Sequence, residues 1–185
     1  MLKYLLIAYL LVGAHIQGNC QESSVYTCDN GTVHFLSDAP LEMIEARSNQ
    51  LKGVINATNR EFVFSVMIRS FEGFNSPLQR EHFNENYLES EQYAKAHFTG
   101  KIIERINISE TGTYDIRTKG ILNIHGVKQE RIIRSQVSSG PNGIHIKASF
   151  TILLDDHEIR IPKVVNQKIA QEILVKVEGI FELEP

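Results

Sequence analysis

The sequence predicts an all-β domain, and three features carry that expectation. Long runs alternate apolar and polar residues with a period of two, as strands with one buried face require. Short turns rich in Gly, Asn and Pro separate those runs. A single polar, charged crossover is the main interruption, and Asn75-Ser76-Pro77 within it reads as a helix or turn start.

The first strand, over 32–36, is entered from the turn signal Asp29-Asn30-Gly31. Two further short strands are expected over 41–46 and 51–55, the second leading into a hairpin turn at Asn56-Ala57-Thr58-Asn59. Over 61–70, Phe62, Phe64, Val66 and Ile68 share one face, and Val63, Ser65, Met67 and Arg69 share the other. In the crossover that follows, Ser76 is placed to cap a helix with Pro77 at its first position. A strand over 98–108 precedes a turn at 109–112. Tyr114, Ile116, Thr118, Gly120, Leu122 and Ile124 then face one way, with Asp115, Arg117, Lys119 and Asn123 opposite. His125-Gly126 turns the chain into 127–137, and Gly140-Pro141-Asn142-Gly143 turns it again. Ile144, Ile146, Ala148, Phe150 and Ile152 alternate with His145, Lys147, Ser149 and Thr151. The last strand sets Ile169, Ile173, Val175, Val177 and Phe181 against Glu172, Lys176, Glu178 and Glu182.

About eight antiparallel strands with short connections make either a sandwich or a closed barrel, and the period does not choose between them. The inward-facing set is Ile, Val, Phe, Ala and Leu with almost no charge, so any molecule held inside must be largely apolar.

At 185 residues the chain suits one domain. A lone Lys3, an apolar run over 4–12 and small residues from Gly13-Ala14 fit a secretory signal peptide, too short to span a bilayer. Its cleavage falls after Ala14, Gly18 or Cys20, which divides the chain into a signal over 1–20 and a domain over 21–185. The mature chain therefore carries no transmembrane segment and belongs in the periplasm or outside the cell. A lipid anchor on Cys20 is disfavoured by Asn19, where a small residue is wanted. Cys20 and Cys28 either pair or leave Cys28 as an incidental thiol in a mobile N-terminal segment; the second is favoured. Three Asn-x-Ser/Thr triplets, at Asn30, Asn56 and Asn107, are read as coincidence. A formal net charge of −3 with no basic cluster argues against a nucleic-acid partner.

No constellation reads as a catalytic site. His125 and His145 fall on outward faces, and no His-x-His or His-x-x-x-His pair offers a cheap metal site. Glu81, Glu85, Glu89 and Glu91 read as a solvated helix face. There is no Gly-x-Ser-x-Gly elbow or phosphate loop. The polar stretch over 155–162, with His157, reads as an exposed connection, or alternatively as the rim of a barrel mouth. No catalytic residue, metal or cofactor is expected.

A family resemblance adds to this. Its carriers are Gly31-Thr32-Val33-His34-Phe35 with Ser37-Asp38-Ala39-Pro40-Leu41, and Phe62-Val63-Phe64-Ser65-Val66. Arg80-Glu81-His82-Phe83, Asn86-Tyr87-Leu88 and Tyr93-Ala94-Lys95-Ala96-His97-Phe98-Thr99-Gly100 follow, then Gly120-Ile121-Leu122-Asn123-Ile124-His125-Gly126 and Ile159-Arg160-Ile161-Pro162. In their order and spacing they resemble the YceI-like family of secreted bacterial lipid-binding proteins, over 26–181. The chain departs from the family pattern at Ala94, where Pro is usual, at Asn123, where Thr is usual, and in having Cys28. The resemblance implies an extended, lipocalin-like antiparallel β-barrel with a short helical crossover, holding an isoprenoid, an isoprenoid quinone or a fatty-acid derivative. On that reading the protein is a non-catalytic carrier of an amphiphilic, lipid-like small molecule. Phe62, Phe64, Val66, Ile68, Tyr114, Ile116, Ile146, Phe150 and Val175 line its tunnel, with Arg80, His82 and His157 at the mouth. The rival is a packed barrel acting as an envelope interaction module; a homodimer is compatible with either.

Overall fold

In the computed structural model, residues 24–184 are described; the signal-like segment and Cys20 lie outside them. Eight antiparallel strands close into a barrel in sequence order. They are β1 (Val25–Asp38), β2 (Met43–Asn56), β3 (Glu61–Met67), β4 (Lys95–Ile102), β5 (Gly112–Ile124), β6 (Val127–Gly140), β7 (Gly143–Leu153) and β8 (Glu172–Leu183). Closure comes from β1 pairing with β8, Tyr26 opposite Leu183 and Phe35 opposite Val175. Of the two architectures open to the alternating pattern, the barrel is the one formed, and its ladder leaves no edge strand.

The crossover between β3 and β4 folds as its capping signal requires. Helix α1 (Pro77–His82) starts with the Ser76 hydroxyl accepting the Gln79 N–H at 3.2 Å, and Pro77 occupies the first turn. The helix widens into a π-turn over Phe83–Tyr87 before the chain re-enters the barrel. His125-Gly126 forms the tight β5–β6 turn with both residues at positive φ, 53° and 75°, the geometry that matches the twist of the flanking strands.

Several boundaries differ from the sequence reading. The strands expected over 41–46 and 51–55 are one strand, β2. Ile44, Ala46 and Ser48 point inward, a bulge intervenes at Asn49 and Gln50, and Leu51, Gly53 and Ile55 resume the inward face. The polar run Arg47-Ser48-Asn49-Gln50 suggests a turn, yet Ser48 is buried and its hydroxyl meets that of Ser70 at 2.6 Å. β1 begins earlier than expected, with Tyr26 and Cys28 buried; Cys28 is a core residue and not part of a mobile arm. β4 stops at Ile102, and 103–111 is a loop pinned by Arg117 to the Glu104 carboxylate at 2.8 Å. Ile169 precedes β8 and lies in the connection from β7.

The two ends of the barrel are built differently. At one end, where the chain turns between β2 and β3, β4 and β5, and β6 and β7, side chains pack solid. Val137, Ile144, Phe181 and the loop residue Ile108 are each no more than 1% exposed, and the Ser139 hydroxyl donates to the Ile108 carbonyl. This end is a floor. Apart from the 103–111 loop, the irregular segments gather at the other end: the β1–β2 tip, α1 with its π-turn, and the 154–171 connection.

Nearer the floor, β4 and β5 approach closely where Gly100 faces Gly120; a Cβ on either would strike a carbonyl of the other strand, that of Lys119 or Thr99. Phe181 is the largest fully buried side chain of the floor. Phe181→Ala is expected to lower the unfolding free energy by about 3–5 kcal/mol. Urea denaturation would show this as a reduced midpoint, and an unchanged midpoint would deny the floor its structural role.

Candidate functional site

Between the floor and the irregular end, the barrel encloses a cavity of about 250 Å³. Its walls are the inward faces of the strands, and no Lys, Arg, Asp or Glu is among the described residues that line it. Eight of the chain's nine phenylalanines form two clusters along its length. Toward the floor, Phe62 packs on Phe64 and Phe98, with centroids 5.2 and 5.0 Å away, and Phe64 reaches Phe181 at 5.3 Å. Toward the irregular end, Phe35 stacks on Phe83 at 5.3 Å, with Phe71 and Phe74 completing the group. The ninth, Phe150, lines the wall.

Three of the seven polar residues of the lining are engaged through their side chains. The Thr118 hydroxyl donates to the Ile133 carbonyl at 3.1 Å, and the Ser37 hydroxyl accepts the Ala170 N–H at 2.9 Å. Gln79 donates its side-chain amide to Glu42 at 3.0 Å. Burial raises the Tyr87 phenol above its ordinary pKa, so it remains a proton-bearing donor at neutral pH. An ionised group drawn into this space would meet no counter-charge, at a cost of several kcal/mol. The cavity suits a neutral, apolar chain.

Of the residues expected to line a tunnel, Phe62, Phe64, Val66, Ile68, Ile116, Ile146, Phe150 and Val175 all border the cavity. Tyr114 does not. It sits at the floor end of β5, and its hydroxyl donates to the Glu110 carbonyl at 3.1 Å. None of the three residues expected at the mouth lines it. Arg80 donates to the Arg69 carbonyl at 3.1 Å and lies near Glu72, on the face of α1 turned away from the cavity. His82 follows on the same short helix, which offers Gln79 to the cavity instead. His157 is fully buried, which corrects its placement on a solvated rim.

The YceI-like domain family matches residues 26–181. The chain belongs to that family. Solved structures share the fold: a polyisoprenoid-binding domain from Saccharophagus degradans implicated in plant cell wall breakdown superposes with a TM-score of 0.75 at 15% identity, covering 88% of this chain and 100% of that one. BcnA of Burkholderia cenocepacia gives 0.66 at 13% identity, covering 81% and 95%. A YceI protein of Campylobacter jejuni gives 0.55 at 13% identity, covering 71% and 78%. Among curated protein sequences, none matches the chain.

In this YceI-like barrel, sequence periodicity missed the cavity residues that come from connections. Phe71, Phe74 and Phe83 flank or begin the helical crossover, and Ile161 and Ile169 belong to the β7–β8 connection. Their signal was the density of Phe and Ile in segments otherwise polar enough to be read as surface.

His157 belongs to a lateral closure of the same barrel. β6 and β7 pair only from Ser135–Ala148 to Gly140–Gly143. Beyond that they splay, and side chains replace the ladder. Arg131 donates to the Thr151 carbonyl at 2.6 Å and lies 3.4 Å from the Asp156 carboxylate; Gln129 donates to the Asp156 carbonyl at 2.7 Å. The turn over Asp155–His157 packs into the gap, and His125 holds it from the far side, meeting the His157 carbonyl at 3.2 Å and the Glu89 carboxylate at 2.6 Å. Among the described residues, neither ring nitrogen of His157 has a hydrogen-bond partner.

Burial lowers the His157 pKa from its ordinary 6.5, opposed by the nearby Val127 and Ile124 backbone. The neutral ring is the folded form. Below the unfolded pKa the unfolded chain takes up a proton that the folded one refuses, so this contribution to stability is complete above about pH 6.5 and declines as the pH falls toward the lowered folded value. His157→Phe should therefore flatten the loss of urea-measured stability between neutral and mildly acidic pH relative to the parent protein. Parallel pH dependences in the two proteins would remove His157 as the cause.

Proposed function

We propose that this protein is a non-catalytic carrier, in the periplasm or secreted, of a long apolar molecule: an isoprenoid, an isoprenoid quinone or a fatty-acid derivative. The observation that carries the reading is the uncharged cavity strung between two phenylalanine clusters inside a closed barrel. A space walled mainly by aliphatic and aromatic side chains, with no Lys, Arg, Asp or Glu, has much to offer a hydrocarbon chain. Each methylene moved from water into it contributes roughly 0.8 kcal/mol, set against the lost freedom of the bound chain. The polyisoprenoid binding of the Saccharophagus degradans domain supports the same ligand class. The signal-like N-terminal segment supports export.

The rival interaction module has one observation in its favour. Val54, Val63 and Ile121 project outward from one register row across β2 to β5, at 45%, 52% and 38% exposure. That module required a filled interior, however, and this barrel has a cavity.

Mass spectrometry of an organic extract of the protein, purified from a bacterial envelope without detergent, tests the carrier reading. A stoichiometric isoprenoid, quinone or acyl compound is expected. Ala148→Trp would place an indole in the cavity from the β7 wall, and is expected to lose that compound while keeping its melting transition. An empty parent protein that also ignores added quinones and fatty acids would overturn the proposal.

A further inference from the structure

We propose that the irregular end of the barrel docks on an anionic lipid bilayer, so that the apolar molecule passes between membrane and cavity without crossing water. This rests on the carrier reading above and names where and from what the cargo is exchanged.

Exposed aliphatic side chains are ordinary when scattered. Here four of the most exposed lie on one arc. Leu41 and Met43, at the β1–β2 tip, are 66% and 58% exposed; Leu78 on α1 is 57% and Val164 in the β7–β8 connection is 90%. Hydrogen bonds join these three segments. Gln79 and Asn75 reach Glu42 at 3.0 and 3.3 Å, and Asn75 also donates to the Met43 carbonyl at 3.0 Å. On the other side, the Leu41 N–H donates to the Gln167 carbonyl at 2.9 Å. The same segments supply Gln79, Ile161 and Ile169 to the cavity lining. The exposed apolar arc is thus continuous with the apolar interior, at the end opposite the packed floor.

The charge fits the partner. The stretch 160–168 holds Arg160, Lys163 and Lys168, all exposed, and no carboxylate. Among the described residues none of the three forms an ion pair. Glu42, the acid nearest the arc's centre, is engaged by two amide groups. Asp38, Glu81, Asp155, Asp156, Glu158 and Glu172 also belong to this end; all lie outside the basic stretch, and Asp156 is paired with Arg131. Protruding aliphatic residues beside unpaired cations combine apolar burial with attraction to anionic headgroups.

Co-sedimentation with phosphatidylcholine vesicles, with and without phosphatidylglycerol, is the direct test. The protein is expected to bind the anionic vesicles preferentially, and the double variant Leu78→Asp with Val164→Asp to bind them about tenfold less. Lys163→Glu with Lys168→Glu should abolish the preference for anionic vesicles. A pyrene-labelled fatty alcohol, supplied from cyclodextrin, should enter the parent and the Leu78/Val164 variant equally, whereas its transfer from vesicles should slow about tenfold in the variant. A parent protein that ignores both kinds of vesicle, or a variant that binds and exchanges like the parent, would overturn the proposal. Vesicle binding without uptake of the alcohol from cyclodextrin would leave the docking surface standing and refute the carrier reading.

Discussion

The pairing of β1 with β8 is the constraint on which the rest of this molecule depends. An inward face of Ile, Val and Phe is tolerable only if water is kept from it, and an antiparallel sheet excludes water from a concave face by closing on itself. The register that closes it, Thr32 opposite Glu178 and Leu36 opposite Leu174, joins residues near the two limits of the described chain. Everything between must therefore be in place before the interior is sealed. Along this seam β1 is irregular, its register shifting against β2 between Cys28 and Val33 and against β8 between Thr27 and Thr32.

Closure alone would allow a fully packed barrel. The distribution of phenylalanine prevents that. Rings at the two ends of the cavity brace one another at 5.0–5.9 Å, while the wall between them is set largely by Ile, Val and Ala. Bulky groups at the ends and smaller ones between them leave a void that aliphatic side chains on opposite walls are too short to fill. Such a void forgoes dispersion contacts, and the structure bears that cost. The solid floor, with Phe181, Ile144, Val137 and Ile108 essentially inaccessible, offsets it. Stability and vacancy are thereby separated along the barrel axis.

Much of this was legible in the sequence, and the reasons for the rest are physical. Alternation on β3, β5 and β7 marked which residues face inward, because one face of each strand is apolar except for Thr118. It could not rank them by depth: Phe64 and Phe181 have the same pattern, yet one borders the cavity and the other plugs the floor. Tyr114 and Ile116 share a face two residues apart, and only Ile116 is deep enough to meet the void. The merging of two expected strands into β2 was hidden by Ser48, a polar residue buried through a hydroxyl pair that no local pattern announces. His157 was hidden in the opposite sense. Its acidic neighbours mark a solvated loop, whereas the splaying of β6 from β7 opens a gap into which the imidazole is folded.

The two ends also differ in what they allow the barrel to do. At the floor, adjacent strands are joined by ladder bonds, two short turns and the pinned 103–111 loop, so local opening would break the most deeply buried packing. At the other end, β2 pairs with β3 only from Lys52 to Asn56, and β6 leaves β7 beyond Ser135. What spans these gaps is a short helix, a π-turn, a single bridge between Arg47 and Glu72, and side-chain bonds from Arg131 and Gln129. Local opening draws on the regions with fewest buried contacts and least ladder. A molecule entering a barrel closed by its ladder has to pass where the ladder is already absent. The carrier proposed above would therefore exchange its molecule at the end that carries α1 and the 154–171 connection.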